Sequence, residues 1–257
     1  IASFTQTGTV DLMKTIGAYW PKASRDASEM AALGIAAHTL AGFEAIRIPF
    51  GLIAEAEALG CKIDYHEDKI DFQPTCVSSL ESLNTIEPDH VTGQSMNAII
   101  QATRIINNKI QDVPVIVGVT GPFTVTGMIH GIDQTMKDLV LAPETISMAM
   151  KISTEVIKNY CKTLIEAGAD VIVLIEPTAS VIGPFFFKKF LLPNITEIVK
   201  RVNLPIALHV CGNSTPIINL MVDTGVAGIS VDQKVSILKV KEMVDSKVSL
   251  IGNLDPV

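Results

Sequence analysis

The stretch Leu204-Pro-Ile-Ala-Leu-His-Val-Cys-Gly-Asn213 carries residue types that could do chemistry together. Its apolar run Ile206–Val210 reads as a buried strand that breaks at Gly212. Side chains alternate faces along a strand, so Ala207, His209 and Cys211 share one face and Leu208 and Val210 the other. One imidazole and one thiol therefore project side by side where the strand ends. A neutral imidazole and a thiolate are both zinc ligands, and a catalytic zinc keeps one position open for water or substrate. The spacing by itself serves a packing role equally well, because Cys is often a small buried hydrophobe and His can simply hydrogen-bond. Position favours the metal, since parallel α/β folds gather their chemistry where strands end.

The elements that must position this pair follow a regular alternation. Apolar strand-like runs occur at Ile1–Phe4, Ala45–Ile48, Pro114–Val119, Val171–Ile175, Ile206–Val210, Gly228–Val231 and Val248–Gly252, most of them closed by Gly or Pro. Between them lie helical patterns. Asp26 with Glu29 reads as a capping box for a helix through Ala31, Ile35 and Leu40 that stops at Gly42. Pro143 opens a long helix that Gly168 closes. Pro193 divides helical Phe185–Leu192 from Ile195–Val202. Residues 61–77, with Ile63, Tyr65, Ile70 and Phe72 alternating with polar neighbours, predict a β-hairpin excursion.

Strand–helix alternation argues a parallel sheet with helical crossovers. No G-x-G-x-x-G follows the first strand, so the dinucleotide fingerprint is missing. Polar residues sit after many of the strands: Gln6, Arg47, Thr120, Glu176, His209 with Cys211, Asp232 and Asn253. One shared rim for all of them favours a TIM (β/α)8 barrel over an open sheet. The expectation is a single barrel domain over residues 1–257, with the pattern running out one β/α unit before the eighth and an N-terminal segment lying upstream of Ile1.

Composition narrows the function classes. The chain has 257 residues, 48% hydrophobic and 18% charged, with a net charge of −7. That size suits one large core. The acidic balance argues against nucleic acid, whose readers are basic. No apolar run of about 18 residues predicts a membrane span. Cys61, Cys76, Cys161 and Cys211 are too scattered for a disulfide framework, which fits a reducing cytoplasm. Cys61, Cys76 and Cys161 read as packing residues.

The segments His209-Val-Cys-Gly-Asn213 and Asp223-Thr-Gly-Val-Ala-Gly-Ile-Ser-Val-Asp-Gln-Lys234 resemble the methylcobamide:coenzyme M methyltransferases of the uroporphyrinogen decarboxylase superfamily. Phe4-Thr-Gln-Thr-Gly8, Gly42–Pro49 with Arg47, Gly121-Pro122, Ala167-Gly-Ala-Asp-Val171, Glu176-Pro-Thr-Ala-Ser180 and Gly252-Asn253 support it, in order along the chain. The resemblance implies a zinc ion at the C-terminal rim held by His209 and Cys211. It places the third ligand in a Gly-Cys-Gly stretch after an eighth strand, which is expected beyond residue 257; Cys61, Cys76 and Cys161 do not occupy that place. It assigns Asp232 as an acidic residue that approaches the metal, where a loop carboxylate or helix cap is the alternative.

The implied reaction is methyl transfer from a methylcobamide, carried on a separate corrinoid protein, to the thiol of coenzyme M. The thiolate is the nucleophile, and a zinc-bound thiol is deprotonated outright. Arg47 is the first candidate partner for the coenzyme M sulfonate, with a salt bridge bracing the rim as its alternative. Gln6, Glu176 and Asn213 are candidates to line the substrate pocket. Competing readings are a decarboxylase of the uroporphyrinogen type, a methyltransferase with another thiol or a folate as acceptor, and a non-catalytic barrel that binds a corrinoid protein.

Overall fold

The computed structural model describes residues 2–5, 7–81, 83, 87–88, 92–244 and 246–255. The elements run in the order α1 (Val10–Ile16), α2 (Trp20–Ala23), α3 (Ala27–Ala41), β1 (Ile46–Ile48), α4 (Ala54–Ala58), β2 (Ile63–Asp64), β3 (Thr75–Cys76), α5 (Gln94–Lys109), β4 (Val115–Thr120), α6 (Pro122–His130), α7 (Ile132–Leu141) and α8 (Pro143–Glu166). They continue with β5 (Val171–Ile175), α9 (Gly183–Phe186), α10 (Leu192–Arg201), β6 (Ile206–Val210), α11 (Ile218–Asp223), β7 (Gly228–Val231), α12 (Ile237–Val244) and β8 (Ser249–Ile251). Strands β1-β4-β5-β6-β7-β8 form one six-stranded sheet, parallel throughout. β2 and β3 pair antiparallel in a separate ribbon.

The sheet is covered on both faces, which is why its strands are near-continuous in apolar residues. One face packs Ile46, Ile48, Val117, Val119, Ile172, Leu174, Leu208 and Val210 under the helices, in the large core. The other face carries a second, smaller cluster of Ala45, Ile116, Val173, Ile175 and Ala207. Strand alternation puts Arg47, Gly118, Thr120, His209 and Ser230 on this second, inner face. The functional candidates thus share a surface that the apolar residues only partly fill.

Local signals explain the helices that carry the sheet. Asp26 caps α3, its carboxylate accepting from the N–H groups of Ser28 and Glu29, both at 2.9 Å. Glu29 does not complete the expected box; its carboxylate pairs with Lys22 instead. Gly42 closes α3 in the left-handed region at φ 73°.

Two expectations are corrected. Residues 2–5 form no strand; Phe4 instead packs its ring onto the inner apolar cluster, and Ile1 lies outside the described residues. Pro193 does not separate two helices. A π-helical turn over Phe187–Leu191 widens the path directly ahead of α10, and Pro193 sits in the first turn of α10, where no N–H is required of it.

Candidate metal site at the C-terminal rim

The parallel strands bring their C-terminal ends together, and the register decides which side chains meet there. His209 lies opposite Ile175 on β5 and Ser230 on β7. Its Nδ1 is 2.9 Å from Ser230 Oγ. With Nδ1–H donating to the hydroxyl, Nε2 keeps its lone pair, the arrangement that second-shell partners impose on ligating histidines. Burial, reinforced by the Arg47 cation, lowers the His209 pKa to about 4. The ring is therefore neutral at physiological pH, as a metal ligand must be.

Beyond β6 the chain turns at Gly212, whose φ of 80° belongs to the left-handed region. A Cβ there would also stand 3.0 Å from Ser180 Oγ. The Gly212 N–H donates to Asp232 Oδ2 at 2.9 Å, and the Lys234 N–H donates to Oδ1 at 2.9 Å. Asp232 thus ties the turn after β6 to the turn after β7. These backbone donors, Gly212 first, hold its carboxyl below the usual carboxylate range. Asn253 continues the chain of rim contacts, its side-chain amide donating to Asp232 O at 3.2 Å and Val235 O at 2.6 Å.

Cys211 is a free, half-buried thiol. Burial pushes its pKa up, and Asp232 adds to the rise while Lys234 opposes it. The thiol stays protonated unless a cation compensates it. Among the described residues there is no group of three or more His, Cys, Asp and Glu side chains arranged to hold a metal ion. The described residues therefore offer two donors of the right chemistry, His209 and Cys211, with the Asp232 carboxylate beside them.

The remaining candidates fall into different places. Arg47 is 2% exposed; its Nη1 donates to Pro49 O, and its Nε has no partner among the described residues. Gly118 makes room for it, since a Cβ there would lie 2.4 Å from Arg47 Nη2. Burial lowers the guanidinium pKa to about 9, leaving it cationic at neutral pH.

Glu176 is fully buried and faces the first turn of α6, accepting from Phe123 N at 2.6 Å, Thr124 N at 3.0 Å and Thr124 Oγ1 at 2.8 Å. It accepts there from helix N–H groups that have no intrahelical acceptor. Burial raises its pKa to about 7. Asn213 is exposed, and its Oδ1 accepts from Thr215 N at 3.3 Å. Gln6 lies outside the described residues.

Sequence reasoning missed Ser230 and Glu55. Glu55, buried on α4, accepts from Thr120 N at 2.9 Å and Thr120 Oγ1 at 2.6 Å and fixes the end of β4. Neither had a local signal. Each acts through a partner distant in sequence.

The profile of the uroporphyrinogen decarboxylase (URO-D) family matches residues 2–257. Methylcobamide:CoM methyltransferase MtbA of Methanosarcina acetivorans is 38% identical over 265 residues, covering 99% of this chain and 77% of that protein. Methylcobamide:CoM methyltransferase MtaA of Methanosarcina barkeri is 33% identical over 262 residues, with the same 99% and 77% coverage. A solved methyltransferase from Methanosarcina mazei superposes with a TM-score of 0.94 at 35% identity, covering 99% of this chain and 77% of that one. The fold is accordingly α/β of the TIM-barrel type. The chain belongs to the uroporphyrinogen decarboxylase family, among the methylcobamide:CoM methyltransferases.

Proposed function

We propose that this enzyme transfers a methyl group from a methylcobamide, carried on a corrinoid protein, to the thiol of coenzyme M, at a zinc site to which His209 and Cys211 contribute. The observation that carries this reading is His209 Nδ1 at 2.9 Å from Ser230 Oγ near the end of β6, two residues before the free Cys211 thiol, in a chain 38% identical to a methylcobamide:CoM methyltransferase. The imidazole and thiol suit zinc in kind; when bound, the ion would lower the pKa of a thiol placed on it and so supply the thiolate nucleophile.

The chain's own residues have definable parts in this. Ser230 holds the His209 ring in the tautomer that leaves Nε2 available. Asp232 is a positioning residue: it anchors the Gly212 turn that presents Cys211, and its negative charge, opposed to the thiol's own ionisation, favours a cation between them. Arg47 keeps a buried positive charge on the inner face beside His209. That charge suits the sulfonate of coenzyme M, and an Nε without a partner among the described residues supports the assignment. Asn213 stands at the exposed mouth of the same turn, where it can meet substrate. Glu176 supports the rim by holding α6. We place Gln6 with the pocket residues on its sequence position alone.

A corrinoid is too large for a filled barrel interior, so it arrives on its protein over the rim. Val181 and Phe185, each 71% exposed on the segment after Glu176, offer apolar surface for that partner. The net charge of −7 argues against nucleic acid as a partner. Among the described residues no helix is long and apolar enough to cross a membrane. A cytoplasmic location fits the free cysteines.

The test is zinc content of the purified protein together with methylation of coenzyme M by methylcobalamin, in wild type and in His209→Ala and Cys211→Ala. Near-stoichiometric zinc and thiol methylation, both lost in the variants, are the expected result. Methylation that survives both substitutions would overturn the assignment. Decarboxylation of a uroporphyrinogen without zinc would replace it with the decarboxylase reading.

A further inference from the structure

The contacts at the rim reach one strand beyond the residues that offer metal donors. Ser230 on β7 lies opposite Ile251 on β8, and continuing that parallel register by two residues sets Asn253 level with Asp232. Gly252 makes the approach close. Its φ is 132°, and a Cβ there would stand 2.7 Å from Val231 O. Asn253 is half-buried, and its side-chain NH2 donates to Asp232 O at 3.2 Å and to Val235 O at 2.6 Å. One amide group thus grips both ends of the turn over residues 232–235.

Other contacts fix the shape of that turn. Val235 N donates to Asp232 O at 3.0 Å and Lys234 N to Asp232 Oδ1 at 2.9 Å. The Val235 side chain is buried in the large core. Asp232 Oδ2 is then aimed across to β6, where it accepts the Gly212 N–H at 2.9 Å. Gly212 directly follows Cys211. The contacts therefore run in one line, from Asn253 after β8, through Asp232 after β7, to the backbone beside Cys211 after β6. Each link has a fixed sense, because an amide NH2 only donates and an ionised carboxylate only accepts.

We propose that Asn253 is a positioning residue for the rim chemistry: it holds the Asp232 turn and, through the Asp232 carboxylate, sets how Cys211 presents its sulfur. What that sulfur then does rests on the reading of His209 and Cys211 as zinc donors; how it is held does not. Two substitutions separate the parts of the argument. Asn253→Ala removes both donors. Asn253→Asp keeps the size but sets a carboxylate oxygen against two carbonyl oxygens, so attraction becomes repulsion. Neither alters a metal donor.

The experiment compares wild type, Asn253→Ala, Asn253→Asp, Asp232→Ala and Asp232→Ala/Asn253→Ala in the full chain, with the urea unfolding midpoint showing that each is folded. The first readout is the rate at which iodoacetamide alkylates Cys211 in chelator-treated protein, resolved from the other cysteines by peptide mapping. The second is zinc affinity, by competition with a chromophoric chelator. Freeing the turn should raise the alkylation rate of the half-buried thiol in both Asn253 variants. Loss of an outer partner typically costs about 10–100-fold in metal affinity, and Asn253→Ala should fall at about tenfold, with Asn253→Asp beyond it. Once Asp232→Ala has cut the line, adding Asn253→Ala should change neither readout further. A lower unfolding midpoint with both readouts unchanged would overturn the proposal and leave Asn253 as a loop tether. An Asn253→Ala effect that persists in full on top of Asp232→Ala would overturn it as well. A wild-type chain that binds no zinc while its Cys211 alkylation follows the expected pattern would support the positioning role and remove the zinc reading instead.

Discussion

Ser230→Ala probes the rim most directly, because it removes one oxygen atom and almost nothing else. Ser230 is 3% exposed, and its hydroxyl is 2.9 Å from His209 Nδ1. Without it, the ring either keeps its proton on Nδ1 and leaves a buried donor unpaired, at about 1–3 kcal/mol, or moves the proton to Nε2, the nitrogen assigned to the metal. Both routes weaken zinc binding. Loss of such an outer partner typically lowers metal affinity about 10–100-fold, or ~1.4–2.7 kcal/mol at 1.36 kcal/mol per decade. The cavity left by one oxygen is too small to add much. Zinc affinity measured by competition with a chromophoric chelator, read alongside the urea unfolding midpoint, separates the effects. Ser230→Thr, which keeps the hydroxyl, should recover most of the affinity. Unchanged zinc affinity in Ser230→Ala, with affinity abolished in His209→Ala, would refute the Nε2 assignment. A lower unfolding midpoint with zinc untouched would reduce the Ser230 contact to a packing hydrogen bond.

Other perturbations follow from single contacts. Burial raises the Glu176 pKa from 4.5 to about 7, so the native state holds this proton more tightly than the unfolded chain. The resulting stabilisation is complete below about pH 4.5 and is lost as pH rises to about 7, a change of ~3 kcal/mol. Glu176→Gln should flatten that part of the pH–stability curve relative to wild type, and an unaltered difference across this range in urea titrations would contradict the cause. Gly118→Ala places a methyl 2.4 Å from Arg47 Nη2 and 3.1 Å from its Cζ and should cost about 1–3 kcal/mol by overpacking. Combined with a shortened Arg47→Ala, the loss should be less than additive; strict additivity in thermal unfolding would mean that the two side chains do not meet. Asp26→Ala removes the cap of α3 and should cost about 1 kcal/mol, whereas Asp26→Asn should cost only part of it.

Much of the local structure was legible because its causes are local. Asp26 and Gly42 bound α3 since a carboxylate beside free N–H groups and a residue tolerant of positive φ are properties of a few neighbouring residues. The same holds for Pro143 at the start of α8 and Gly168 just past its end. Strand-like composition at residues 2–4 failed as a predictor because a strand needs a neighbour to pair with, and Phe4 packs on the inner cluster instead. Pro193 failed as a breaker because the π-helical turn before it relieves the clash that a proline makes with the preceding turn.

The site divides along the same line. Strand alternation and the Gly-ended strands were enough to single out His209, Cys211 and the other polar residues after the strands as candidates for one rim. Sequence order cannot say which residue of β7 stands opposite His209, or that Asp232 reaches back to Gly212; those are matters of register between segments some twenty residues apart. Nor could it show that Glu176 engages α6 or that Arg47 rests over Gly118. The backbone pattern of a strand is encoded in its own residues. The partner of a side chain on that strand is decided only when the sheet assembles, because hydrogen bonds and charges act through space.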